Sequence, residues 1–130
     1  MRCFDSTFVV DYLAGEQRTV DYLEEHADEA FSLPAVVLYE ALEGGVRSAG
    51  PPEFRATRAH LSWADIAPFG ETTALEAGRL QADLAERGRE LNSADAMIGG
   101  TARELGATLV TADGDLTNDD VGAILDVDEY

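Results

Sequence analysis

The stretch SADAMIGGTARELGATLVTADGD, which opens at Ser93 and ends at Asp115, restricts this chain more than any other part of it. Its first half has helical spacing, with Ser93 placed as the N-cap and Gly106 just past the end. Met97, Ile98, Gly99 and Gly100 describe a helix that packs closely on something. The second half, ATLVT, has the length and apolar character of a buried strand. An aspartate stands at each end of this pair: Asp95 in the first helical turn and Asp113 just beyond the strand. Carboxylates at the edges of buried elements are costly unless their charge is compensated. The compensating group has to be found.

The rest of the chain alternates in the same way. RCF reads as a short strand and STFVVDYLAG as a helix ending near Gly15. RTVDYLEEHADE is a second helix, with Val20, Leu23 and Ala27 on one stripe. AFSL is a strand candidate, and Pro34 suits the first position of the helix PAVVLYEALEGGV. PEFRATRAHLSWA reads as a polar helix bearing arginines, followed by a short apolar DIAPF. ETTALEAGRLQADLAERG is amphipathic, with Ala77, Leu80 and Leu84 inward and Gly88 as C-cap. AILDV is a candidate final strand. Alternation of this kind predicts a layered α/β fold with a mainly parallel sheet, in one domain spanning 1–130. In such sheets ligands bind beyond the carboxyl ends of the strands. Asp5, Asp95 and Asp113 all fall at predicted element ends of that kind.

Composition narrows the setting. No apolar run approaches the ~18 residues that span a bilayer, and Asp5 and Asp11 interrupt the N-terminal apolar stretch that a signal peptide would need. Cys3 is the single cysteine, expected in a strand core, so no intrachain disulfide forms. A cytoplasmic protein without a membrane partner is expected. The 26 acidic residues outnumber 9 basic ones for a net charge of −17, and every basic residue is arginine. An acidic, lysine-free surface is expected of a protein that works in molar salt, where the Debye length falls to ~3 Å. Such a charge would ordinarily argue against a nucleic-acid partner, but in high salt counterion release contributes little and the objection weakens.

Each carboxylate has an ordinary reading when taken alone. Asp5 would be a helix N-cap, Asp95 a charge favoured by its helix dipole, and Asp113 a turn residue. Glu40 lies on the stripe of Val36, Val37 and Gly44, either inward or at its margin. Taken together, four carboxylates from four elements need a shared cation in order to coexist. Oxygen ligands without a histidine cluster select Mg²⁺ or Mn²⁺ over zinc, and His26 and His60 lie in surface-like helices. A cation held this way suits phosphodiester hydrolysis. Other motifs fail: DGDLTNDD has Asn118 and Ile124 where a calcium loop needs glycine and glutamate. DST carries Thr7 where a phosphatase has its second aspartate, and EGGVRSAG lacks the lysine of a phosphate loop.

FDSTFVVDYL, LPAVVLYEALEGG and SADAMIGGTARELGATLVTADGDL, in this order and spacing, resemble the PIN domain, and specifically the VapC-type toxin of a toxin–antitoxin pair. The resemblance covers nearly the whole length. It implies a three-layer α/β/α sandwich and a Mg²⁺-dependent endoribonuclease whose acidic residues match Asp5, Glu40, Asp95 and Asp113. Thr111 matches a small polar residue near the site, and Asp115 is an additional candidate acid. Leu116 stands where an aromatic residue is common, a departure that touches packing more than chemistry. On this reading Asp5, Asp95 and Asp113 hold the ion, Glu40 acts through a water, and a cognate antitoxin and a homodimer are expected. RNA would be gripped by Arg47, Arg55 and Arg58, which read equally well as a solvated helix face. The competing reading is a non-catalytic acidic interaction module, whose acids would be scattered over the surface without favouring element ends.

Overall fold

Strands and helices alternate through the computed structural model, which describes residues 1–130. The first half of the chain runs β1 (Arg2–Phe4), α1 (Ser6–Leu13), α2 (Gln17–Glu25), β2 (Phe31–Pro34), α3 (Ala35–Arg47), α4 (Phe54–His60) and β3 (Asp65–Ala67). The second half runs α5 (Glu71–Ala85), α6 (Ser93–Leu105), β4 (Thr108–Thr111), α7 (Gly114–Thr117), α8 (Asp119–Gly122) and β5 (Val127–Glu129). The five strands form one sheet in the order β3-β2-β1-β4-β5. Every pairing is parallel, with Cys3 opposite Ser32 on one side and Leu109 on the other. The chain steps outward from β1 through β2 to β3, then returns to the far side of β1 for β4 and β5. Because parallel crossovers are right-handed, this reversal sends α1–α4 to one face and α5–α8 to the other. The result is a three-layer α/β/α sandwich. No helix is long and apolar enough to cross a membrane.

One face is filled by an aromatic cluster and the other by the predicted stripe of α5 packed on α6. Phe4 meets Phe8 at 4.5 Å and Trp63 at 5.1 Å between ring centroids, with Tyr22 edge-on to both phenylalanines. Leu80 and Leu84 of α5 and Ile98 of α6 are fully buried. Cys3 is buried in β1, where loss of solvation pushes its thiol up to about 12. The close packing expected of Gly99 and Gly100 is present: a Cβ on Gly100 would lie 2.7 Å from the backbone of Ala77.

Several boundaries differ from those the sequence predicts. The buried stripe of α2 is Thr19 and Tyr22, and Ala27 is exposed beyond its end. Tyr22 displaces the small apolar residues because its ring fills the aromatic cluster while its hydroxyl reaches Asp128 at 2.6 Å. Asn92, not Ser93, caps α6, since its side chain accepts the Asp95 N–H at 2.8 Å. Pro34 closes β2, so α3 opens at Ala35. Gly88 has φ +67 but lies beyond the C-cap Glu86, in the turn that follows α5. The last strand is Val127–Glu129, three residues instead of AILDV, because Leu125 is spent in the turn after α8.

Candidate metal centre

The reversal of the sheet lies between β1 and β4, and the acidic residues converge beyond the carboxyl ends of those two strands. Asp5 follows β1 directly and caps α1. Its Oδ1 accepts from the Phe8 N–H at 3.2 Å and from the Thr7 hydroxyl at 2.7 Å. Its Oδ2 accepts from the Thr111 hydroxyl at the end of β4. The N-cap reading of Asp5 therefore holds alongside its place in the site. Only 2% of Asp5 is exposed, and burial raises its pKa, opposed by the bonds from Thr111, Thr7 and Phe8 and reinforced by the charge of Asp113.

Thr111 and Thr7 also set the other wall. The Thr111 hydroxyl accepts the Asp113 N–H at 3.0 Å, and the Thr7 hydroxyl accepts the Ala112 N–H at 3.0 Å. Asp113 caps α7 by accepting the Asp115 N–H at 2.9 Å, which places the two carboxylates side by side. Asp95 comes from the first turn of α6, where Asn92 donates to its Oδ2 at 3.0 Å. One carboxylate oxygen from each of Asp95, Asp113 and Asp115 lies within 4.8 Å of the other two. Desolvation first, and then the charge of Asp113, push the Asp95 carboxyl up to about 6. Asp5, Asp95, Asp113 and Asp115 form no salt bridge, so their mutual repulsion has no internal counter-charge.

Glu40 enters from α3. Its Oε1 accepts from the Ser6 hydroxyl at 2.6 Å, one residue beyond Asp5, and Oε2 has no protein donor. It lines a cavity of about 220 Å³ with Ser6, Val9, Val37 and Arg47. Arg47 pairs with Glu43 at 3.1 Å, Arg58 donates to the Leu61 carbonyl at 3.3 Å, and Arg55 is exposed. Asp115, the additional candidate, thus joins the tight group, with Asp5 seated behind it and Glu40 reached through Ser6. The residues the sequence did not single out are Ser6, Thr7 and Asn92. Their signal was present: two hydroxyls directly after Asp5, and an asparagine three residues before Asp95.

The donor set is oxygen alone, three carboxylates within one ion's reach and no histidine or cysteine among them. That chemistry fits a hard divalent cation such as Mg²⁺ or Mn²⁺ and disfavours zinc.

The family model for the PIN domain matches residues 2–120 of this chain. No curated protein matches the sequence. Among solved structures, VapBC2 from Rickettsia felis bound to a DNA fragment from its promoter aligns at TM-score 0.80 with 19% identity, over 99% of this chain and 98% of that one. A toxin–antitoxin complex from Klebsiella pneumoniae aligns at 0.78 with 20% identity, over 98% and 96%. VapC20 from Mycobacterium tuberculosis, a Sarcin-Ricin loop cleaving toxin, aligns at 0.64 with 19% identity, over 96% of each chain. At these identities the likeness is one of fold.

Proposed function

The chain belongs to the PIN domain family, and from that premise we propose that it is a divalent-metal endoribonuclease acting as the toxin of a toxin–antitoxin pair. The observation that carries the proposal is the uncompensated group of Asp95, Asp113 and Asp115 at the reversal of a parallel sheet, with Asp5 behind it. These residues would hold a Mg²⁺ or Mn²⁺ ion, which in such sites polarises a phosphoryl oxygen and lowers the pKa of a bound water. Asp5 can take part through Oδ2, which accepts only from Thr111 and keeps a second lone pair, whereas Oδ1 already accepts from both Thr7 and Phe8.

The chain's own side chains supply the order. Thr111 holds Asp5 and the Asp113 backbone together, and Asn92 fixes the rotamer of Asp95. Glu40 is held at Oε1 by Ser6, which leaves Oε2 to orient a water or accept its proton. An antitoxin partner is supported by the likeness to solved toxin–antitoxin complexes. It is also supported by the exposed apolar residues Val10, Tyr39, Val46 and Phe54 on α1, α3 and α4. A basic side chain from that partner would neutralise Asp5 and Asp95 in place of the ion. A homodimer is part of the same proposal.

The test is single-turnover cleavage of total RNA in molar KCl with Mg²⁺, Mn²⁺ or EDTA, for the wild type and Asp113→Asn. Cleavage is expected with either ion and lost with EDTA or in the variant. Cleavage that survives EDTA would remove the metal-nuclease reading and favour a contaminant or a different chemistry. Inertness in every condition, with no Mn²⁺ bound, would favour the acidic interaction module.

A further inference from the structure

Within that reading, the geometry points to a subsite for a backbone phosphate of the RNA, flanking the scissile one, with Arg89 as its cationic contact. A cavity of about 220 Å³ opens beside the carboxylates, lined by Arg89, Glu90, Asn92, Asp95, Asp115 and Asn118 among others. Asp95 and Asp115 place its wall directly on the candidate metal group. With those two carboxylates committed to a cation, the polar donors left in the cavity decide what it can hold. Asn92 gives one amide hydrogen to Asp95 and Asn118 donates to the Gly114 and Asp115 carbonyls, and neither brings a positive charge to the cavity. Arg89 is different. Its Nε donates to Asp120 at 3.0 Å, which steadies the guanidinium, while its two terminal nitrogens have no partner in the protein. A guanidinium held at Nε with free terminal donors suits a phosphate oxygen pair.

None of the other arginines lines this cavity, Arg55 and Arg58 of α4 included. Arg2, Arg18, Arg79 and Arg103 are paired with carboxylates away from the metal group. Arg47 lines the cavity of Glu40, but that cavity is walled by Val9, Val10, Val37 and Ala41, a surface that suits an apolar side chain better than a phosphate. Arg87 shares Asp120 at the longer distance of 3.5 Å and does not line the cavity beside Asp95. A net charge of −17 makes one cation set beside the scissile position matter more than it would on a basic protein.

The subsite rests on the ribonuclease proposal, and the two can fail separately. The experiment measures binding of a fluorescein-labelled, mixed-sequence single-stranded RNA by anisotropy, with Ca²⁺ in place of Mg²⁺, for the wild type, Arg89→Ala, Arg89→Lys and Asp120→Asn. Arg79→Ala serves as a charge-matched control on α5. Mn²⁺ binding to each variant is measured in parallel without RNA. Arg89→Ala is expected to weaken RNA binding about tenfold, and to reduce the slope of log K against log salt by about 0.7. Arg89→Lys recovers part of the affinity, Asp120→Asn falls between, and Mn²⁺ binding and the melting temperature stay at the wild-type values. RNA binding by Arg89→Ala equal to that of Arg79→Ala would overturn the subsite and leave the nuclease proposal standing. A wild-type chain that binds Mn²⁺ but no RNA would overturn both.

Discussion

Asp95 carries the tension of the site in one side chain. Its carboxyl is pushed up to about 6 by desolvation and by Asp113, above the 3.8 of an ordinary aspartate. A carboxyl whose folded pKa is raised stabilises the fold only while protonated. Its contribution is complete below the unfolded pKa and disappears as pH rises through the folded one. Metal-free protein should therefore lose stability between about pH 4 and 6, and Asp95→Asn should remove that loss while keeping the bond from Asn92. At pH 7 in EDTA the variant is expected to melt at or above the wild-type temperature. Added Mg²⁺ should raise the melting temperature of the wild type alone. A variant that melts lower in EDTA would mean that Asp95 serves as a structural cap. Thr111 gives a second test. Thr111→Val leaves a buried Asp5 oxygen without its donor and should cost about 1–3 kcal/mol, read by denaturant melts in molar KCl, with Thr111→Ser close to wild type. At this scale the sequence picked out Asp5, Asp95 and Asp113, which the fold gathers at one edge of the sheet, because they sit at element ends. The hydroxyls of Ser6 and Thr7 were legible only as neighbours of Asp5, since their other partners Glu40 and Ala112 are distant in the chain and meet them only once the sheet has formed.

The helix pair α5 and α6 is the element on which that placement depends. Gly100 faces the backbone of Ala77, and a Cβ there would sit 2.7 Å from Cα and N, atoms that cannot rotate away. Gly99 is more forgiving, because its near neighbour at 2.6 Å is the end of the Leu80 side chain. Gly100→Ala should gain up to ~1 kcal/mol of helix propensity and lose about 1–3 kcal/mol to overpacking, a net fall in melting temperature. It should also move α6 off α5 and weaken Mn²⁺ binding through Asp95. Gly78, mid-helix in α5 and exposed with no atom within 4 Å of its added Cβ, is the contrasting case. Gly78→Ala should stabilise by roughly 0.5–1 kcal/mol and leave metal binding unchanged. If both substitutions stabilise, the close approach is not tight in solution. The small-residue run of α6 was legible as a packing face because adjacent glycines are otherwise unfavourable in a helix. The buried stripe of α2 and the start of β5 were not, because Tyr22 is placed by its tertiary partners and Leu125 is held to Val121 in the turn after α8.

Across the whole molecule the unbalanced charge becomes the dominant electrostatic fact. The carboxylates in salt bridges are Asp11, Glu29, Glu43, Glu76, Asp83, Asp120 and Asp128, each with arginine, so most of the 26 acids have no cationic partner. Repulsion at −17 then subtracts from a folding stability of only ~5–15 kcal/mol. Screening by molar salt shortens the Debye length to ~3 Å and removes most of that subtraction. The melting temperature is therefore expected to rise substantially between dilute buffer and molar KCl. Two sources of salt response are separable. Diffuse repulsion answers to ionic strength and should persist in Asp95→Asn. Repulsion within the metal group answers to millimolar Mg²⁺, and that response should be lost in the variant, which lacks one of the three grouped carboxylates. A rise with KCl that Asp95→Asn abolishes would place the whole effect in the site. A flat response in both proteins would mean that the surface acids repel too weakly to matter, and working in molar salt would lose its physical basis. A rise of similar size in both, with Mg²⁺ adding a further step only in the wild type, is the outcome the charge distribution requires.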